Sequence, residues 1–421
     1  MNQPGNSETV VGKMPVGTSQ TAHPKYRGKV LLLTPHLNIG GLEKMILDLS
    51  RGLRAQGSYE PHILAYDMAF PTREVNSLLP EITREKIQVD VNKKDGGFSF
   101  PLVLKIATMC RDREIDVIHT HDLGALIYGA LAKIRLLGKV RIVHTQHSFF
   151  DLNENAKFRI YHRVFSYFAD ELVVVSDDTK KTYIDLGISP NKVEVIKNGV
   201  PFSNQPVISR AERLKEREIL LRSLDGQSEY ESLAEGRNDY WILYLARVHP
   251  IKGQRHALSL WAKLPESVRA KCRLLIIGPS ASEGELDRIK ALAKESPSPE
   301  RILTPGGTTA TRDWINSSDL FLSCSEFEGL PLSPIESVGQ GTPVLLSDIP
   351  GHEFLKDMAS FYSLADPVAG ASALTKILDS VETQSRDWQS ALEKNAAWIR
   401  EQYSLEMMTK AYSAVYDQVL K

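Results

Sequence analysis

The chain has 421 residues, 42% hydrophobic and 24% charged, enough for two domains of ordinary size with a sizeable core. A formal net charge of −1 argues against a bulk nucleic-acid binder, although residues 1–200 carry 26 Lys and Arg against 22 Asp and Glu, so a local patch could still meet an anionic surface. Cys110, Cys272 and Cys324 are odd in number and form no C-x-x-C pair, which argues against a disulfide framework or a cysteine zinc site and for a reducing compartment, and no apolar run reaches the roughly 18 residues of a membrane span.

Residues 1–27 are rich in Gly, Pro, Ser and Thr, hold no apolar signal-peptide core, and are expected to form a disordered tail. From there short apolar runs alternate with helical patterns. Residues 29–34 (KVLLLT), 116–119 (DVIH), 140–145 (VRIVHT), 172–176 (LVVVS) and 193–196 (VEVI) are predicted strands, and a helix on Leu42, Met45, Ile46 and Leu49 follows the first loop. Continuous Val/Ile/Leu runs suit a parallel sheet covered on both faces. Asn198-Gly199 is a turn signal that closes this first domain, residues 28–205. Residues 206–237, charged and partly helical, read as a connector. The pattern restarts in a second domain, residues 238–402, with strands at 241–246 (WILYLA), 273–277 (RLLII), 320–323 (LFLS) and 343–346 (PVLL). Two strand–helix series joined by a connector imply an α/β protein of two doubly wound, Rossmann-like domains facing a central cleft, with ligands at the carboxyl ends of strands.

Candidate site residues fall at those ends. Residues 328–336 read EGLPLSPIE, two carboxylates around an uncharged Gly/Pro loop. Ser333 as N-cap, Pro334 at the first helical position and Glu336 as capping-box partner would explain Glu336 structurally. A cap leaves Glu328, Gly329 and Pro331 unexplained. A small-residue loop feeding a helix N-terminus is an anion site, and flanking carboxylates can accept hydrogen bonds from hydroxyls beside that anion. A nucleotide-sugar has that layout. Residues 245–253 read LARVHPIKG, placing Arg247 and Lys252 after a strand as countercharge for a diphosphate. No D-x-D occurs in the chain, so a metal held that way is not indicated; the cations would stabilise a leaving phosphate instead.

In order, A-R-x4-K-G, S-x-x-E-G-L-P-L and E-x7-E resemble the donor site of the retaining glycosyltransferases of family 4, which have the two-domain GT-B fold. Residues 36–42 (HLNIGGL), 118–122 (IHTHD), the stretch from Ser176 to Val200, Ile277-Gly278-Pro279 and residues 339–343 (GQGTP) extend the resemblance over nearly the whole chain after the tail. It implies that Arg247 and Lys252 hold the donor diphosphate, Glu328 the sugar and Glu336 the ribose, with Thr304, Gly329, Leu330, Pro331 and Leu332 around the donor. It implies that Gly41 admits close backbone approach to the phosphate, that His121 sits near sugar and acceptor, with Asn38 and His147 on the acceptor side, and that the last helix, from about residue 403, returns to the first domain. Apolar positions at Met407, Ala411, Val415 and Leu420 give that helix a face to bury. Ala246, Pro331 and Pro201 depart from the family pattern without removing a charged group from the donor site.

His119 and His121 share a strand face, and an H-x-H pair can begin a metal site, but no Asp, Glu or Cys set at ligand spacing accompanies it. Residues 148–168 mix aromatics with Lys157, Arg159 and Arg163; Phe158, Tyr161, Phe165 and Phe168 form one helix face, read as core-facing or as a basic-aromatic surface for an anionic membrane or lipid-linked acceptor. The expectation is a cytoplasmic, metal-independent transferase, peripheral at the inner membrane face, with no cofactor. It would move a hexose-type sugar from a nucleotide diphosphate donor such as a UDP-sugar to a glycan or glycolipid hydroxyl in cell-envelope polysaccharide or lipopolysaccharide synthesis. The alternatives are a sugar-nucleotide epimerase of the same fold, a non-catalytic nucleotide-sugar binder and, last, a metal-dependent hydrolase built on His119 and His121.

Overall fold

The structure is a computed structural model that describes residues 26–67, 77–94, 97–147, 156–202, 206–224, 226–227 and 230–421; the expected tail and residues 148–155 of the basic-aromatic stretch lie almost wholly or wholly outside them. Among the described residues, thirteen strands form two sheets. The first contains β1 (Lys29–Thr34), β2 (Glu60–Ala65), β3 (Gln88–Val91), β4 (Val117–His121), β5 (Arg141–Gln146), β6 (Glu171–Val174) and β7 (Val193–Val195), in the order β3-β2-β1-β4-β5-β6-β7. The second contains β8 (Tyr240–Leu245), β9 (Cys272–Ile277), β10 (Ile302–Gly306), β11 (Leu320–Ser323), β12 (Val344–Ser347) and β13 (Ser360–Tyr362), in the order β10-β9-β8-β11-β12-β13. All pairings are parallel.

Four of these strands carry no clear sequence signal. β3, β10 and β13 are edge strands, short, polar or interrupted by Pro305, and an edge needs neither two apolar faces nor a complete ladder. β2 lies inside its sheet but starts Glu-Pro-His, which masks the apolar run.

The chain order reverses between β1 and β4 and again between β8 and β11. Each reversal opens a crevice at the carboxyl ends of the strands, where ligands of doubly wound sheets sit. The loops after β1, β4, β8 and β11 carry nearly all the candidate residues. Continuous Val/Ile/Leu strands are buried on both faces, and each sheet is covered by two apolar clusters, one per face.

The final helix, Leu405–Val419, buries Met408, Tyr412, Val415 and Tyr416 in one cluster with Val30 and Leu32 of β1 and Leu49 of the helix Gly41–Gln56. Its buried face is thus displaced from the one read off the sequence, since Met407 and Leu420 are exposed. Residues 209–236 are more than a connector. Ser209 and Glu212 form a capping box for the helix Arg210–Ser223, whose Arg217 is fully buried against Asp319 and the carbonyls of Ser317, Arg237 and Asp239. Arg213 caps further carbonyls around Ser318 and Gly341, so this helix belongs to the second body.

The chain passes between the two bodies twice, and the two passes are bonded to each other. Val200 N–H donates to the Tyr403 carbonyl at 2.7 Å, and Leu405 N–H to the Val200 carbonyl at 3.0 Å. A Cβ on Gly199 would fall 2.6 Å from the Ser404 carbonyl oxygen, so the close approach needs glycine there.

Candidate active site

Between the two sheets lies a cleft of about 800 Å³, open to solvent and lined by Gly40, Gly41 and Lys44 from one side and Arg247, Leu332 and Glu336 from the other. On the second-sheet side, β8 ends at Leu245 and Arg247 follows with an exposed guanidinium. The turn Pro250–Lys252 closes on Gly253, which adopts a left-handed conformation against the Cys324 carbonyl and so fixes Lys252 beside the loop after β11. Lys252 Nζ lies 2.6 Å from Glu328 Oε2, and Ser325 Oγ donates to Glu328 Oε1 at 2.7 Å. Gly351 lets this loop pack, because a Cβ there would fall 2.3 Å from the Glu328 carbonyl oxygen.

The helix expected after this loop runs Leu332–Gly339, with Pro331 as its first flanking residue and no side-chain cap. Ser333 is inside the helix and Glu336 makes no cap, so the capping-box reading is wrong. The reason is tertiary: Glu336 Oε1 is taken by Lys44 Nζ at 2.7 Å from across the cleft. Leu332 and Ser333 in the first turn of that helix line the cleft, and a helix N-terminus suits an anion. Gly329 and Leu330 sit in the loop, with Leu330 packed on the apolar cluster beneath. Thr304 lies within β10 and is not among the residues lining the cleft; Thr308, Thr309 and Thr311 are.

On the first-sheet side, the loop after β1 leads into the helix Gly41–Gln56. A Cβ on Gly41 would meet Leu332 Cδ1 at an ordinary 3.6 Å, whereas one on Gly40 would fall 2.4 Å from Glu43 Oε2, so the crowded glycine is Gly40. Asn38 bridges to Ser77 through its backbone and keeps a buried side-chain oxygen without a partner among the described residues. Sequence reasoning missed two charged residues in the first turn of this helix. Burial raises the Glu43 carboxyl to about 7, against its own backbone N–H and the charge of Arg247, which pull it down. Burial works against the Lys44 ammonium, but the charge and hydrogen bond of Glu336 outweigh it, and its pKa lies above the ordinary lysine value. Lys44 also donates to Thr311 Oγ1 at 3.1 Å. The signal was present as G-G-x-E-K, but nothing local says what lies opposite.

β4 carries His119 and ends in His121, β5 carries His144, and His147 follows β5. His119 bonds Tyr416 OH at 2.7 Å through Nδ1 and Thr145 Oγ1 at 2.8 Å through Nε2, and Thr145 in turn reaches Tyr412 OH at 3.0 Å. His121 Nδ1 and His147 Nε2 are 3.1 Å apart, and His121 Nε2 has no partner among the described residues. Burial holds His119 and His121 well below the ordinary histidine pKa and takes His144 and His147 down to about 3, so all four are neutral near pH 7. His121 is therefore a neutral imidazole at the end of β4, and His119 is committed to the return helix. No group of three metal-ligating side chains occurs among the described residues.

The helix Ala156–Phe165 differs from its core-facing reading. Of the face read as core-facing, Phe158 and Tyr161 are exposed while Phe165 packs on the core cluster; the buried residue of the helix is His162, bonded to Tyr183, and Ile160, Val164 and the following Tyr167 are exposed at 60%, 50% and 81%. No helix among the described residues is long and apolar enough to cross a membrane.

Residues 39–204 match the family model described as Glycosyltransferase Family 4, and residues 227–399 that of Glycosyl transferases group 1. N-acetyl-alpha-D-glucosaminyl L-malate synthase of Bacillus anthracis is 23% identical over 407 residues, 92% of this chain and 97% of that enzyme. UDP-Gal:alpha-D-GlcNAc-diphosphoundecaprenol alpha-1,3-galactosyltransferase of Escherichia coli is 24% identical over 262 residues, 60% of this chain and 63% of that enzyme, just under two thirds of its length. The crystal structure of Anabaena Alr3699/HepE in complex with UDP and glucose superposes with a TM-score of 0.72 at 16% identity, covering 93% of this chain and 100% of that one, and shows the same fold. With family models matched on both sides of the cleft, the chain belongs to the family 4 type of glycosyltransferases and has the two-domain GT-B fold.

Proposed function

We propose that this glycosyltransferase moves a hexose-type sugar, with retention, from a nucleotide diphosphate donor, a UDP-sugar in the first instance, to a hydroxyl of a glycan or lipid-linked acceptor in cell-envelope polysaccharide or lipopolysaccharide synthesis. The observation that carries this is the set of groups after β8 and β11: Arg247, the first turn of the helix Leu332–Gly339 and Glu336 line one cleft, and Lys252 pairs with Glu328 in the loop that leads into that helix. Arg247, Lys252 and the helix N–H groups suit a diphosphate; Glu328 and Glu336 suit hydroxyls on either side of it, the sugar and the ribose. Gly41 and Leu332 shape the space between.

In this reading the bond from the sugar's anomeric carbon to phosphate oxygen breaks while the acceptor oxygen bonds that carbon on the same face. The acceptor proton passes to the departing phosphate oxygen. Arg247 and Lys252 stabilise the charge that develops there, doing what a metal does in other transferases. Glu328, held by Lys252 and Ser325, positions the sugar, and neutral His121, oriented by His147, faces sugar and acceptor. The E. coli relative's name, with its UDP-Gal and diphosphoundecaprenol, supports a UDP-sugar and a lipid-linked acceptor. The exposed Ile160, Val164 and Tyr167 beside Lys157, Arg159 and Arg163 support peripheral contact at the inner face of a membrane.

The test is mass spectrometry and proton NMR of products from a panel of nucleotide-sugars with polyprenyl-diphosphate-linked glycans, with and without EDTA. An α-linked product from an α-donor, formed equally in EDTA, is expected. A product of inverted configuration, or turnover abolished by EDTA and restored by a divalent metal, would overturn the reading. Glu43, a carboxyl raised to about 7 in the cleft, gives the epimerase alternative one proton-carrying group; an epimerised nucleotide-sugar formed without acceptor would establish it.

A further inference from the structure

Lys44 is the first-domain residue that meets the donor side of the cleft most intimately. It stands in the first turn of the helix that follows β1, and its Nζ lies 2.7 Å from Glu336 Oε1 and 3.1 Å from Thr311 Oγ1. The pair is largely removed from solvent, with side-chain exposures of 28% and 9%. One turn further along the same helix face is Asp48, whose carboxyl burial raises to about 6 against the pull of Lys44 and Arg51; Arg51 is held by Asp48, Glu81 and Glu85. The ammonium is therefore set between carboxylates and cannot swing freely.

We propose that Lys44 is a positioning residue for the donor: by holding one oxygen of Glu336 it aims the other at the nucleotide, and because it comes from the opposite domain it couples nucleotide binding to closure of the cleft. This rests on the reading that Glu336 receives the donor ribose. An ionised carboxylate has two oxygens and about four lone-pair sites, so Lys44 on Oε1 leaves Oε2 able to accept ribose hydroxyls. A charge-assisted bond fixes the rotamer that a lone glutamate on an eight-residue helix would otherwise sample. Lys44 and Glu336 stand on helices of different domains, and widening the cleft by a few ångströms breaks the bond. A ligand that needs Glu336 in this orientation then binds the closed arrangement better than the open one, and by linkage favours closure.

The experiment is a double-mutant cycle on the full chain with Lys44→Met, Glu336→Gln and the pair, plus Lys44→Arg. UDP and GDP binding are measured by calorimetry, and donor KM and kcat at saturating acceptor. Lys44→Met is expected to weaken binding of the preferred nucleotide, and raise donor KM, about tenfold, while kcat changes less than about twofold. Lys44→Arg should restore most of the affinity, and Lys44→Met should add almost nothing in the Glu336→Gln background. Full additivity would show that Lys44 contacts the nucleotide itself, and unchanged affinity in Lys44→Met that it does neither; each overturns the proposal. Glu336→Gln binding both nucleotides like wild type would instead sink the ribose reading. If Lys44→Met does not fold, Lys44→Gln and Lys44→Arg carry the same cycle.

Discussion

The two domains differ in how they hold polar groups at the carboxyl ends of their strands. The second-domain wall presents charge: Arg247 free at the end of β8, Lys252 paired with Glu328, and a helix N-terminus. The first domain sets neutral imidazoles bonded to tyrosines and a threonine in and just after β4 and β5, and it meets the cleft with Lys44 and Arg51 of the helix Gly41–Gln56 and with Glu81. A diphosphate needs countercharge, whereas an acceptor hydroxyl needs a shaped, weakly polar surface that will not protonate it. The contrast implies that losses on one wall strike turnover and those on the other strike stability.

The largest effect that could break this comparison is on turnover. Arg247→Ala and Lys252→Ala are each expected to lower kcat/KM by roughly 10²–10³, with little change in melting temperature, because each removes charge from where the leaving phosphate develops it. Steady-state kinetics beside a thermal melt decides it, and a large melting shift with intact kinetics would reverse the assignment.

Removal of residues 403–421 should act on the other wall. It strips Tyr412 and Tyr416 from Thr145 and His119 and uncovers Val30, Leu32 and Leu49. Hydrogen exchange should rise across β1, β4 and β5 and stay low in β8 and β11; the reverse pattern would place the helix energetically with the second domain.

Acid sharpens the same contrast. His119, His121, His144 and His147 have folded pKa values below the ordinary 6.5, two of them about 3. The unfolded chain therefore binds more protons below about pH 6.5, and stability falls as pH drops from there towards the folded values. Exchange measured at pH 7 and pH 5 should increase more in the first domain, where these four residues lie, than in the second.

The smallest effect concerns Glu43. Its folded pKa, about 7, lies above the ordinary 4.5, so the folded state holds the proton more tightly and stability declines as pH rises from about 4.5 to 7. Glu43→Gln should melt higher than wild type at pH 8 and at the same temperature near pH 4.5. Equal melting at both pH values would show that this carboxyl is solvated.

The second-domain site was legible because its parts are close in sequence and each has its own reason. Arg247 and Lys252 follow one strand inside a Pro/Gly turn, and residues 328–336 form one loop and helix start. The error there, a capping box at Ser333 and Glu336, came from scoring a local pattern whose carboxylate is engaged by Lys44. The first-domain network was not legible, since His119 meets Tyr416, Thr145 meets Tyr412 and Lys44 meets Glu336 only after the return helix docks and the cleft forms.

By itself the sequence determined the α/β class, the inner strands with their two apolar faces and the placement of charged residues after strands, because hydrophobic period and turn chemistry are local properties. Only the tertiary structure decided the edge strands, the true buried face of the last helix, the docking of Arg213 and Arg217 on the second body, and which cation meets which carboxylate. Those depend on groups hundreds of residues apart being desolvated together, and a buried charge takes whichever partner the fold brings within reach.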